Sequence, residues 1–229
     1  MLMAQRMLAP VTTGAVVLAL VAAGAAPALD VGGSDARDVL RGTAAADELH
    51  GRGGADRLVA LGGRDFVSGG SGRDVIFGGS GADLLFGGSG GDRIYGGVDP
   101  DVISGNGGND RLIGGSGDDR AHGNAGDDRL YGGAGADALD GDDGDDRLSG
   151  GAGGDRLLGG LGADVLIGGP GIDEIAAGPG NDVVGARDGE SDLVFCGEGT
   201  DVARLDASDR IGDMNPVFPN GSCEQVERG

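Results

Sequence analysis

From Gly33 to Gly185 an aliphatic residue recurs every ninth position without insertion or deletion: Leu40, Leu49, Leu58, Val67, Ile76, Leu85 and onward to Val184, with Ala121 as the exception. Two residues before each of them stands an Asp, from Asp38 and Asp47 to Asp182. A strict period of nine marks a stack of seventeen similar small units rather than one amphipathic helix or strand. Gly69-Gly70-Ser71-Gly72-Arg73-Asp74-Val75-Ile76-Phe77, followed by Gly78-Gly79-Ser80-Gly81-Ala82-Asp83-Leu84-Leu85-Phe86, shows the pattern at its clearest. Positions seven to nine, such as Val75-Ile76-Phe77, predict a three-residue strand in which only position eight faces inward. The first six positions predict a turn, with Gly at one and four supplying positive backbone torsions. Two strands and two turns make a coil of 18 residues. Successive coils stack as parallel strands about 4.8 Å apart, so two thin sheets enclose one aliphatic layer in an all-β chain.

Composition changes the picture. Gly supplies 54 of 229 residues, aromatics only 3%, and Trp is absent, so large core side chains are scarce and the backbone is costly to order. The net charge is −21 with no Lys, and the acid is mostly Asp, 32 against 6 Glu. This balance argues against a nucleic-acid partner and makes cations, metal ions included, the natural counter-charge. Carboxylate and carbonyl oxygens in a flexible Gly-rich turn suit a hard ion that takes several oxygens in irregular geometry, calcium before magnesium. Zinc, copper and iron want imidazole or thiolate, whereas the two His and two Cys lie outside the turns. His50 and His122 fall at position nine, four coils or about 19 Å apart, and cannot share one ion. Stacked carboxylates repel one another, so the metal-free chain is expected to be largely disordered and to fold as calcium enters. The alternative is a calcium-free solenoid in which Asp only solvates the turn.

The units resemble the Gly-Gly-x-Gly-x-Asp-x-aliphatic-x repeat of RTX, or hemolysin-type, proteins over about two thirds of the chain. The resemblance implies a right-handed parallel β-roll with multiple calcium ions between the turns of neighbouring coils, held by Asp carboxylates and turn carbonyls. On that reading Asp74, Asp92, Asp110, Asp128, Asp146 and Asp164 line one edge, and Asp83, Asp101, Asp119, Asp137, Asp155 and Asp173 the other. Turn carbonyls would come from glycines such as Gly69, Gly72, Gly78, Gly81, Gly87, Gly90, Gly114, Gly117, Gly132, Gly135, Gly150 and Gly153. Seventeen turns divided between two edges leave at most about 15 gaps for ions. Asp99 and Pro100 depart from the repeat and put the site at Asp101 in doubt.

Residues 1–28 read as a cleaved export signal, with Arg6, an apolar stretch around Val16 to Val21, and a small-x-small site at Ala26-Pro27-Ala28. An uncleaved anchor is the alternative. Residues 29–68 read as degenerate repeats forming a cap, 69–185 as the calcium-binding repeats, and 186–229 as fading repeats with a C-terminal cap. Cys196 and Cys223 read as a disulfide, with free thiols the alternative. The mature chain is expected to be extracellular, with no membrane span and with an unknown protein or surface partner.

Gly87-Gly88-Ser89-Gly90-Gly91 matches a hydrolase elbow only as one phase of the repeat, and no catalytic domain accompanies the roll, so an enzyme is not expected. Arg57, Arg93, Arg111, Arg129 and Arg147 at position seven form a ladder that reads more readily as a solvated face than as a binding stripe. Phe77, Phe86, Tyr95 and Tyr131 at position nine read as a weak contact patch, with ordinary scattered surface aromatics the alternative. The leading function is a secreted calcium-ion-binding repeat protein. The competing class is a structural or adhesive surface protein that uses the roll as a spacer.

Overall fold

The computed structural model describes residues 28–212 and 223–229, together with the backbone of Val16 and Val17. The export signal expected over 1–28 therefore lies almost wholly outside the described residues. Among the described residues there is no helix, and so none that is long and apolar enough to cross a membrane.

The chain is a parallel β-roll. Odd-numbered strands, including β3 (Val39–Arg41), β5 (Arg57–Gly62), β7 (Val75–Ser80) and β9 (Arg93–Val98), build a twelve-stranded sheet; even-numbered ones, including β4 (Glu48–Gly53), β6 (Phe66–Ser71), β8 (Leu84–Ser89) and β10 (Val102–Gly107), build an eleven-stranded sheet. Each strand pairs with the strand one coil away, in a register of 18 residues: Val75 lies opposite Arg93, Ile76 opposite Ile94 and Phe77 opposite Tyr95. After Gly185 the register steps to 19, with Val183 opposite Val202, which absorbs the slip in the sequence without breaking the stack. The last strand, Gln225–Arg228, pairs with Val202–Leu205.

The core is the predicted aliphatic layer. Leu58, Ile76, Ile94, Leu112, Leu130 and Leu148 in one sheet face Leu49, Val67, Leu85, Ile103, Leu139 and Leu157 in the other, and all are excluded from solvent. Each such side chain contributes roughly 1.5–3 kcal/mol by burial.

Three expectations about the unit are corrected. Strands through the middle of the roll run six residues, because positions one to three of the next unit continue the ladder; Gly79 pairs with Gly97, and Ser80 with Val98. The strands shorten to three residues at Val165–Ile167 and Glu174–Ala176, where Pro170 and Pro179 stand at position three without an N–H to give. Position eight is not alone inside, since the alternation of a strand carries positions six and one to the same face, and the Asp and Gly there are buried too. Positive torsions fall at positions two and four, as at Gly79 (φ 115°) and Gly81 (φ 111°), not at one and four.

Candidate metal-binding turns

Position one needs Gly for a different reason, close approach. A Cβ on Gly78 would lie 2.6 Å from Oδ2 of Asp83 and 2.7 Å from the carbonyl oxygen of Gly96 in the next coil. Gly69, Gly87, Gly114 and Gly132 repeat this arrangement with Asp74, Asp92, Asp119 and Asp137, and a Cβ on Gly150 would press on the Asp155 side chain. One carboxylate oxygen and one carbonyl oxygen thus converge on a hollow that any side chain would fill.

The position-four glycines sit at the bend. Gly72, Gly81, Gly90, Gly117, Gly135 and Gly153 all have positive φ. The N–H of Gly72 donates to the carbonyl of Ser89, and that of Gly90 to the carbonyl of Gly107, tying each turn to the next. Asp99 takes the same left-handed conformation at position four, so the departure at Asp99-Pro100 leaves Asp101 in line.

The repeated Asp residues form two continuous ladders inside the edges of the roll. The backbone N–H of Asp74 donates to Oδ1 of Asp92 at 2.7 Å, and the rungs continue through Asp110, Asp128, Asp146 and Asp164. Asp83, Asp101, Asp119, Asp137, Asp155 and Asp173 do the same on the other edge. Each carboxylate spends one oxygen on its neighbour's backbone. The other oxygen, on every repeat Asp from Asp56 to Asp201, is buried and has no hydrogen-bond partner.

A buried carboxylate oxygen left unpaired is expensive, and a buried stack of them more so. Burial pushes the carboxyls of Asp83, Asp101, Asp110 and Asp146 up to about 7, against the lowering effect of the backbone hydrogen bond and with a further rise from neighbouring Asp charges. Burial holds Asp92, Asp119, Asp128, Asp155, Asp164 and Asp173 at about 6 and lifts Asp74 and Asp137 as well. Asp that merely solvated a turn would be exposed, and these are not. Orphaned hard oxygens beside a carbonyl, in an acidic stack without a counter-charge, fit calcium.

The first units differ. Oδ2 of Asp47 accepts from the N–H and hydroxyl of Thr43, while Oδ1 accepts from the N–H of Leu29. At the other end Asp201 donates its N–H to Oε2 of Glu224, which ends one ladder in place of an Asp. Next to it Cys196 and Cys223 are joined, with Cα atoms 5.2 Å apart. Sequence reasoning missed Glu224, whose spacing from Asp201 belongs to no repeat. It also missed Asp118, Asp127 and Asp145 at position five, which accept N–H groups from Ala136, Asp145 and Ala163 one coil on. Their signal was legible as doubled Asp at positions five and six.

On the outer face of the larger sheet Arg93, Arg111, Arg129 and Arg147 stand side by side in register. Arg57 lies over the ring of Phe77 and Arg111 over that of Tyr131, at 4.5 and 4.9 Å, and Phe77 stacks on Tyr95. These contacts engage two of the five arginines of the ladder.

A parallel roll whose edges are lined by buried, half-satisfied carboxylates defines a class: a repeat protein built around cations in its turns. A family model for the RTX calcium-binding nonapeptide repeat matches residues 32–67, 60–94, 86–121, 122–157, 158–193 and 167–203. The chain belongs to that family. A comparison with curated proteins found no match.

Proposed function

We propose that this calcium-binding repeat protein is exported and that calcium switches its folding outside the cell. Each ion would be held between neighbouring turns by the repeat Asp carboxylates from Asp74 to Asp173 and by carbonyls of glycines at positions one and four. The observation that carries this reading is the unpartnered inward oxygen on every repeat Asp from Asp56 to Asp201. With no ion those oxygens and their charge oppose folding, and with ions they join coil to coil, so binding free energy becomes folding free energy. The units up to residue 68 would serve as a cap, with the acceptors of Asp47 already filled by protein donors while Asp56 and Asp65 each keep an unpartnered oxygen, and the ion count stays below about 15. The segment 186–229 closes the other end through Glu224 and the disulfide. Export rests on the apolar stretch before Ala28 and on the disulfide, which suits an oxidising compartment. We assign the roll no catalytic step.

Isothermal titration of chelator-treated protein with calcium tests the reading, with magnesium as control. Several ions should bind cooperatively with large heat, and magnesium should not reproduce it. Absence of calcium binding would leave the roll as an inert solenoid.

A further inference from the structure

Position nine of one unit and position two of the next share the outer face of a sheet. On the eleven-stranded sheet β12 (Arg120–Ala125) pairs with β14 (Ala138–Asp143), placing His122 opposite Asp140 and Asn124 opposite Asp142. Among the seventeen units, Asp140 is the single carboxylate at position nine and Asp142 the single one at position two. His122 Nδ1 lies 3.8 Å from Oδ2 of Asp140 and 3.7 Å from Oδ2 of Asp142, and all three atoms fall within 4.8 Å of one another. A tetrahedral zinc ion with bonds of about 2.0–2.1 Å sets its ligand atoms about 3.4 Å apart. His122 Nδ1 already stands within a few tenths of an ångström of that spacing from each carboxylate oxygen, while the two carboxylate oxygens, within 4.8 Å of each other, would close up by side-chain rotation.

We propose that His122, Asp140 and Asp142 form a separate site for a borderline transition-metal ion such as zinc, on the flat outer face and away from the calcium turns. The imidazole nitrogen is what separates it from the turns, since calcium prefers oxygen alone. A second layer holds the carboxylate in place: Ser104 Oγ donates to Asn124 Oδ1 at 2.7 Å, and Asn124 Nδ2 donates to Asp142 Oδ2 at 2.9 Å. Among the described residues neither carboxylate has an Arg within ion-pair distance. Three protein ligands leave a fourth position open to water or to a ligand from a partner.

His50 is a built-in control, at position nine of the same sheet but with Glu48 Oε1 as its one carboxylate neighbour, at 2.9 Å. The test is zinc chloride added to the full chain in saturating calcium, followed by the imidazole signals of the two histidines in NMR. The expected result is that His122 shifts and saturates at one equivalent while His50 stays in place. His122→Ala should weaken zinc binding at least tenfold and leave the calcium titration unchanged, and Asn124→Ala should weaken it about tenfold. The proposal is overturned if both histidines move together, if neither moves, or if His122→Ala binds zinc like the parent.

Discussion

The N–H of Asp92 donates to Oδ1 of Asp110 at 2.6 Å, while Oδ2 of Asp110 is buried with nothing to accept from. One side chain thus does two jobs, and they can be separated. Asp110→Asn keeps a carbonyl oxygen for the Asp92 N–H and removes the charge. The calcium midpoint should rise several-fold. Asp110→Ala removes the acceptor as well, leaving a buried N–H unpaired at a further cost of about 1–3 kcal/mol. Asp47→Asn, where both oxygens already have protein donors, should leave the number of bound ions unchanged. Calorimetric titration of the three variants checks the ordering.

Gly78→Ala tests close approach rather than torsion. Its Cβ would press on Oδ2 of Asp83 and on the Gly96 carbonyl, displacing one or the other at about 1–3 kcal/mol, and calcium should bind more weakly at that coil. Gly189→Ala, with open space around it, should leave calcium binding alone and show only the mild strain of its positive φ. Calcium titrations of the folded variants distinguish the two.

Acid should act oppositely on the metal-free and calcium-loaded chain. The folded carboxyls of Asp83, Asp101 and Asp110 lie near 7 and those of Asp92 and Asp128 near 6, above the ordinary 3.8. The folded state therefore binds more protons than the unfolded one between these values. Without calcium, the contribution to stability is full below about pH 4 and is lost as pH rises through 6 to 7. Strand signal in chelator should be stronger at pH 4 than at pH 8. Calcium competes with those protons, so its midpoint should rise as pH falls from 8 to 5.5. A metal-free strand signal independent of pH would contradict the burial argument.

Reducing the Cys196–Cys223 bond opens a loop of 27 residues, which corresponds to about 3.5 kcal/mol of chain entropy. The loss should be local, because the bond secures Glu224 and the last strand against Asp201 and Val202–Leu205. Hydrogen exchange after reduction should quicken at Val202–Leu205 and remain slow at Ile94 and Leu112.

The period, the coil length and the two Asp rows were legible because nine-residue spacing places Leu and Asp on fixed phases. The inward direction of Asp74 was legible as well, since positions six and eight have the same parity in a strand, but treating position six as turn concealed it. Strand length was not legible: Gly78-Gly79-Ser80 carries every signal of a turn, yet its backbone groups pair with the neighbouring coil once the roll exists. Glu224 was hidden by the irregular spacing after Gly185. The meeting of His122 with Asp140 and Asp142 depends on the 18-residue register, which brings residues distant in sequence onto adjacent strands.

The most direct test of the account is circular dichroism of residues 29–229 during a calcium titration, with magnesium alongside. The account predicts a cooperative passage from coil to strand that calcium drives and magnesium does not. A metal-free spectrum already rich in strand at pH 7.5, unchanged by calcium, would contradict it.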